Sequence, residues 1–194
     1  MTVKQNLEFI KCNLCNSNSY KFERKLNGFT LVKCKNCGLV YVNPRPKPTN
    51  IVESYKNEKE TEKIMKWYKN QEANKKPDNL RRINIIKEEI SFKCKKSLKL
   101  LDLGCGDLFF LRLAKKENFD VFGLEIRKWA KHIARRYNIS LYTKPLEECN
   151  IKENSFDVIH SDSVFEHLTN PKGVLKECYK ILRRGANYDK CSKL

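Results

Sequence analysis

The alternation of apolar and polar positions divides the chain into a front part of short strands and a back part where apolar runs alternate with amphipathic stretches. In the front part, residues 20–22, 29–32 and 39–42 carry β-branched and aromatic side chains in short runs, which predicts three brief strands. Residues 43–48 read Asn-Pro-Arg-Pro-Lys-Pro, a composition that predicts a stiff extended connector and a domain boundary. Over 49–74, Ile51, Val52, Tyr55, Ile64, Met65, Trp67 and Tyr68 stand among charges with fair helical spacing. This segment is expected to pack as a helix or to cover an active site, and to break at Pro77. Over 79–92, Leu80, Ile83, Ile86 and Ile90 recur at intervals of three and four, with Arg81 and Arg82 opposite, which predicts a second, amphipathic helix covering a sheet.

The back part predicts an α/β fold. An apolar-rich run over 98–103, interrupted by Asp102 near its end, has the character of a central parallel strand. A tight turn with Gly104 and Gly106 follows, then a helix over 109–117, a strand over 120–125 closing on Glu125, and a basic helix over 128–137. Strands over 139–142 and 155–160 and a helix over 174–182 continue the alternation, which implies a parallel sheet with helices on both faces and right-handed crossovers. Ligands of such sheets gather at the carboxyl ends of the strands, where Asp102, Glu125, Glu147 and residues 161–167 would lie. The glycines let backbone approach a ligand where a Cβ would collide. Glu125, 21 residues after Gly104, stands where an acid can accept hydrogen bonds from two ribose hydroxyls.

Cysteine spacing adds a metal module at the front. Cys12 and Cys15, then Cys34 and Cys37, form two Cys-x-x-Cys pairs with eighteen residues between them, a zinc spacing. Four thiolates fill a tetrahedral shell and leave no open position, so the metal is expected to be structural, and Gly38 suits the left-handed residue of the second knuckle. Cys94, Cys105, Cys149, Cys178 and Cys191 show no pairing and read as small apolar residues or incidental thiols. The first residues form no secretory signal, and no run is long enough to span a membrane, so a cytoplasmic location with reduced cysteines is expected. The net charge of +17, from 40 Lys+Arg against 23 Asp+Glu, would suit an acidic partner such as nucleic acid. The lysines are scattered through every segment, however, as in a general compositional bias.

On these residues a resemblance can be stated. Leu-Asp-Leu-Gly-Cys-Gly at 101–106, Gly-Leu-Glu at 123–125, Ser-Phe-Asp-Val-Ile at 155–159, Phe-Glu-His-Leu at 165–168 and the Ile-Leu-Arg-Arg-Gly series ending at Gly185 resemble class I S-adenosylmethionine-dependent methyltransferases. With Cys12, Cys15, Cys34 and Cys37 in front, the chain is similar to the group that carries an amino-terminal zinc ribbon. The resemblance implies a Rossmann-like methyltransferase sheet over 97–187, a ribbon over 1–46, a helical linker or lid over 47–96 and a tail over 188–194. It implies S-adenosylmethionine as cofactor, with Asp102 at the strand end, Gly104 and Gly106 admitting the methionine part and Glu125 holding the ribose. It also implies Leu146 and Glu147 flanking adenine, with Ser161 and Asp162 on the methionine side. Two departures stand out. Leu108 occupies the place of a third glycine, where a bulky side chain would crowd the helix start or the cofactor. The sequence also ends where the family continues, so its later strands are expected to be missing and the 156–160 strand to lie at an edge, as in a truncated or frame-shifted product or in a fragment completed by a partner or a second copy.

For the chemistry, in-line displacement of a methyl group needs an aligned nucleophile, and a base when the acceptor carries a proton. His167 beside Glu166 is the candidate base; His160 and His132 read as structural. Three functions stay open: a methyltransferase acting on a small molecule such as a sugar, a catalytically inactive remnant whose ribbon and basic helices bind nucleic acid or protein, and a nicotinamide-dependent Rossmann protein.

Overall fold

A computed structural model describes residues 7–47, 58–90 and 97–183, with side chains from residue 63 onward in the long helix. Ile51, Val52, Tyr55, Cys94, Gly185 and Cys191, together with Pro48 and the tail, lie outside the described residues. The chain divides into two units, one holding residues 1–56 with 169–172 and the other holding 57–168 with 173–194.

The first unit is all β. Strand β1 (Leu7–Glu8) is followed by β2 (Tyr20–Leu26), β3 (Phe29–Cys34), β4 (Val40–Val42) and β5 (Arg45–Pro46). β2, β3 and β4 form an antiparallel sheet in that order. The β2–β3 hairpin turns on Asn27-Gly28, both at positive φ, the pair that a two-residue turn matching strand twist favours. The Pro-rich segment expected as a connector is in part a strand: β5 pairs antiparallel with β1, Leu7 opposite Pro46 and Glu8 opposite Arg45. A proline without an N–H is tolerated in such a short edge strand, and the Arg45 Nε to Glu8 Oε1 contact at 2.9 Å ties the pair. Asn43 fastens the adjoining loop, since its Oδ1 accepts the Ile10 N–H at 3.0 Å and its Nδ2 donates to the Ile10 carbonyl at 3.3 Å.

The second unit has three layers. Helix α1 (Glu58–Glu89) precedes β6 (Leu98–Leu103), α2 (Phe109–Lys116), β7 (Phe119–Leu124), α3 (Ala130–Tyr137), β8 (Ser140–Tyr142), β9 (Val158–Ser161) and α4 (Pro171–Ile181). The sheet runs β8-β7-β6-β9, all parallel. One face packs Leu98, Leu100 and Val158 with Leu111, Ala114, Trp129 and Ala134 of α2 and the α3 region, and with Ile83 of α1. The other packs Leu101, Leu103 and Leu124 with Phe156 and with Val174 and Ile181 of α4. Period-two alternation along β6 sends Leu98 and Leu100 one way and Leu101 and Leu103 the other, which is why apolar residues serve both faces of the strand.

The expected break at Pro77 does not occur. α1 is one helix of 32 residues with Pro77 inside it. The turn after the proline is braced by Asp78, which pairs with Arg81 at 2.9 Å and Arg82 at 2.8 Å, and the next turns are anchored by the fully buried Ile83. The 156–160 segment also differs from its expectation. The regular strand starts at Val158, because Phe156 pairs instead in an isolated parallel bridge with Leu182, and Asp157 is buried as a clamp. Its Oδ2 accepts the Lys99 N–H at 2.9 Å and contacts Arg183 Nη1 at 2.6 Å. The outer side of β9 has no strand partner among the described residues.

Candidate functional site

The strand order reverses at β6. The chain lays β7 and β8 on one side of it and then returns to lay β9 on the other, and in open parallel sheets such a reversal is where ligands bind, here at the carboxyl ends of β6 and β9. Asp102 pairs in register with His160, and Leu103 with Ser161, so the ends of both strands deliver their side chains to the same level.

The turn after β6 has positive φ at Gly104, Gly106 and Leu108, at 66°, 51° and 60°. The glycines are needed for space as well as for φ. A Cβ on Gly104 would stand 2.5 Å from Val164 Cγ2, and one on Gly106 would stand 2.8 Å from the Tyr68 hydroxyl. Leu108 occupies a left-handed conformation that costs an L-residue about 1–2 kcal/mol. Its side chain is fully buried in the core under α2, which offsets that cost by about 2 kcal/mol. The bulk of Leu108 thus lies in the core beneath the helix. Asp107 starts α2 by accepting the Phe109 N–H at 3.2 Å.

Glu125 is 4% exposed, and two backbone amides hold its carboxylate: Gly106 N–H at 3.2 Å and Arg127 N–H at 3.0 Å. The Arg127 guanidinium stands 3.8 Å away. Asp102 is equally buried, but its Oδ1 lies 2.7 Å from His160 Nδ1, and the His160 ring stacks on Phe110 with centroids 3.9 Å apart. Burial pushes the Asp102 carboxyl above its ordinary range, and the His160 contact opposes that shift. Ser161 Oγ is buried and has no hydrogen-bond partner among the described residues. Asp162 is exposed and paired with Arg82 Nη1 of α1 at 2.9 Å.

The remaining sequence-derived candidates are less gathered. Leu146, in a short 3-10 turn (Leu146–Glu148), is buried in the cluster of Leu101, Leu103 and Leu124, whereas Glu147 is exposed. Glu166 and His167 are exposed on a second 3-10 turn (Phe165–His167) after β9, and no hydrogen bond joins them among the described residues. Sequence reasoning missed Tyr68, Val164 and Trp129. Tyr68 lies over Gly106 and 5.9 Å from the Trp129 ring, burial pushes its hydroxyl up, and Trp129 Nε1 is another buried donor without a partner among the described residues. The only signal for Tyr68 was an aromatic pair, Trp67-Tyr68, in a charged segment.

In the first unit, the Sγ atoms of Cys12, Cys15, Cys34 and Cys37 lie within 4.8 Å of one another, with Cys12 to Cys37 and Cys15 to Cys34 at 3.5 Å. A tetrahedral zinc with bonds of about 2.3 Å has sulfur–sulfur edges of about 3.8 Å, so the residues fit that ion. Both knuckles close alike: Asn16 N–H donates to the Cys12 carbonyl at 2.8 Å and Gly38 N–H to the Cys34 carbonyl at 3.1 Å, each at positive φ. The Cys15 thiol is held down at about 6, chiefly by the backbone of Ser17. Cys105 is the opposite case, since burial pushes its thiol well up and leaves it a packing residue against Gly123.

With this geometry in hand, known proteins can be compared. Residues 101–188 match a methyltransferase domain family. A ubiquinone biosynthesis O-methyltransferase of Aliivibrio fischeri is 28% identical over 96 residues, which is 46% of this chain and 41% of that protein. One of Photobacterium profundum is 26% identical over 92 residues, 44% of this chain and 39% of that protein. The matched stretch thus spans about two fifths of the length of these curated relatives. Among solved structures, the plantazolicin methyltransferase BpumL in complex with SAH superposes with a TM-score of 0.52 at 22% identity, covering 68% of this chain and 52% of that one. A SAM-dependent methyltransferase of Thermotoga maritima gives 0.50 at 21% identity, covering 64% and 56%. The second unit has the Rossmann-like methyltransferase fold. No helix of the described residues is long and apolar enough to cross a membrane.

Proposed function

We infer that this chain, whose residues 101–188 match a methyltransferase domain family, uses S-adenosylmethionine to transfer a methyl group to a small-molecule acceptor such as a sugar or another metabolite. The observation that carries this reading is the cluster at the strand reversal: a buried carboxylate on Glu125, a buried Ser161 hydroxyl with no partner among the described residues, and two positive-φ glycines at which a Cβ would meet Val164 or Tyr68. These residues fit the cofactor. S-adenosylmethionine brings to such a site a methyl group on a sulfonium, whose departure leaves a neutral thioether.

The chain's own residues bind and orient. Glu125 accepts hydrogen bonds from ribose hydroxyls, with its carboxylate already fixed by the Gly106 and Arg127 amides. Gly104 and Gly106 admit the methionine part, and Ser161 and Asp162 line that side, the latter steadied by Arg82. Leu146 and Glu147 flank adenine. Asp102 acts through His160 as a positioning pair at the floor of the crevice. The curated relatives are named for O-methylation, which supports an oxygen acceptor, and an oxygen acceptor has a proton to lose. His167, exposed on the turn after β9 with Glu166 beside it, is positioned in the sequence to take that proton.

In the same reading the protein is cytoplasmic. Its parts are a zinc ribbon over 1–46, a helical segment over 47–96 and the methyltransferase domain over 97–187. Cys12, Cys15, Cys34 and Cys37 hold a structural zinc, which the fit of their four sulfurs supports. A completing partner or a second copy along the outer side of β9 is part of the proposal.

Calorimetry with S-adenosylhomocysteine tests the site. Glu125→Ala should lower affinity about 10- to 100-fold, the effect of removing a charged hydrogen-bond acceptor worth about 1.5–3 kcal/mol. Unchanged affinity in a folded Glu125→Ala variant would overturn the assignment.

A further inference from the structure

A second concavity lies apart from the crevice. It is a groove of about 800 Å³ between α1 and α2, and none of the residues assigned to the cofactor lines it. One wall is the α1 face made by residues 69, 72, 73 and 76, positions that recur at three- and four-residue intervals and so point the same way. Five of the lining residues are Lys or Arg, and a single carboxylate, Glu72, opposes them. That ratio is steeper than the chain's 40 to 23, so the charge here is concentrated rather than scattered.

The partners of these cations separate them into two groups. Arg112 is tied to Glu72 and donates to the Tyr137 hydroxyl at 3.0 Å, and Lys115 Nζ donates to the Tyr137 and Asn138 carbonyls at the end of α3. Lys69, Lys76 and Lys116 are exposed and have no ion pair among the described residues. Lys69 and Lys76 stand two turns apart on one helix face, about 10 Å along its axis. Between them and the floor, the Arg112 guanidinium lies 5.0 Å from the Phe109 ring centroid and 4.7 Å from that of Tyr137, while its Nε is a buried donor without a partner. The half-buried Phe109 ring, the exposed Tyr137 ring and the guanidinium near both make a floor against which a nucleobase can pack, and three ammonium groups around it match phosphates.

We propose that this groove binds a phosphate-bearing nucleotide ligand, free or within a single strand, with Lys69, Lys76 and Lys116 on the phosphates and the Arg112 platform beneath the base. The proposal does not depend on the methyltransferase reading. A volume of about 800 Å³ is within the ordinary range for a bound small ligand.

The test uses the full chain and a fluorescein-labelled ten-nucleotide single-stranded RNA, read by anisotropy, with ATP as competitor. Three phosphate contacts should make the RNA affinity fall about 20-fold between 50 and 200 mM salt. The triple variant Lys69→Glu, Lys76→Glu, Lys116→Glu should lose more than about 10-fold, and the milder Lys→Gln triple should lose less in the same direction. The charge-matched control Lys131→Glu, Lys152→Glu, Lys176→Glu, on surfaces away from the groove, should lose less than about 3-fold. Displacement by stoichiometric ATP identifies a free nucleotide as the source of the phosphates, and resistance to excess ATP identifies a strand. Equal losses in the groove and control triples would overturn the proposal, because binding would then follow net charge alone; so would the absence of binding to both probes. A cooperative urea transition confirms that each variant is folded, and titration of the same variants with S-adenosylhomocysteine reports the proposed cofactor site separately.

Discussion

Asp102 is a carboxyl 4% exposed whose partner is a histidine nitrogen at 2.7 Å, under an aromatic stack. Burial holds its pKa above the ordinary 3.8, so the folded state favours the protonated form. The sign follows from linkage: the stability this group contributes is complete below its unfolded pKa and is lost as pH rises through the raised folded value. Asp102→Asn removes that loss. Urea midpoints taken from about pH 3.5 to pH 7 should therefore move in favour of the variant, relative to the parent, as pH increases. A difference independent of pH, or one that moves the other way, would contradict this account of Asp102. At this scale the placement of Glu125 at a strand end and of the two glycines in the turn was legible in the sequence, since spacing and small size are local signals. Tyr68 and Val164 were not, because each acts by standing over a glycine from a different part of the chain, 38 residues upstream of Gly106 and 60 downstream of Gly104.

Among the elements, α1 departs most from local rules. A proline inside a helix forfeits one backbone hydrogen bond and crowds the preceding turn, at a cost of about 3 kcal/mol, yet Pro77 is continuous with 32 residues of helix. What holds the helix through it is tertiary: Ile83 is fully buried, and Leu80, Ile86 and Ile90 pack on the same core. Pro77→Ala should accordingly stabilise the protein by about 2 kcal/mol, the helical gain less the stiffness proline lends the unfolded chain, seen as a higher urea midpoint. A lower midpoint would mean that the proline shapes a bend the packing needs. The strands of the second unit were readable because a buried parallel strand is apolar on both faces. Their ends were less so. β9 starts three residues later than its apolar pattern suggests, since Asp157 is used to hold the Lys99 amide and the Arg183 side chain. Likewise, β5 was hidden by its prolines.

The two units differ in how they can be stable. Of the described residues in the first, only Cys12, Val32, Cys34 and Asn43 are buried, and all seven residues of β2 are exposed. A sheet with so little core needs a further constraint, and four convergent sulfurs supply the place for one. Metal analysis of protein purified without chelator should find about one zinc per chain. A strong chelator should unfold this unit and leave the urea transition of the second unit in place; no metal, or no change on chelation, would sink the ribbon. The second unit carries the larger core on both faces of its sheet and the crevice at the strand reversal. The Cys-x-x-Cys pairs and the α/β alternation made both units legible from sequence. The basic groove was not, because its cations come from α1 and α2 and look scattered until the helices are set side by side. The central claim is that the crevice at β6 and β9 is a site for S-adenosylmethionine. Calorimetric titration of the full chain with S-adenosylhomocysteine and, in parallel, with NADH tests it most directly. Saturable binding of the first at one per chain, with no heat from the second, is the predicted result; silence toward S-adenosylhomocysteine from a cooperatively folded protein, or equal binding of NADH, would contradict it.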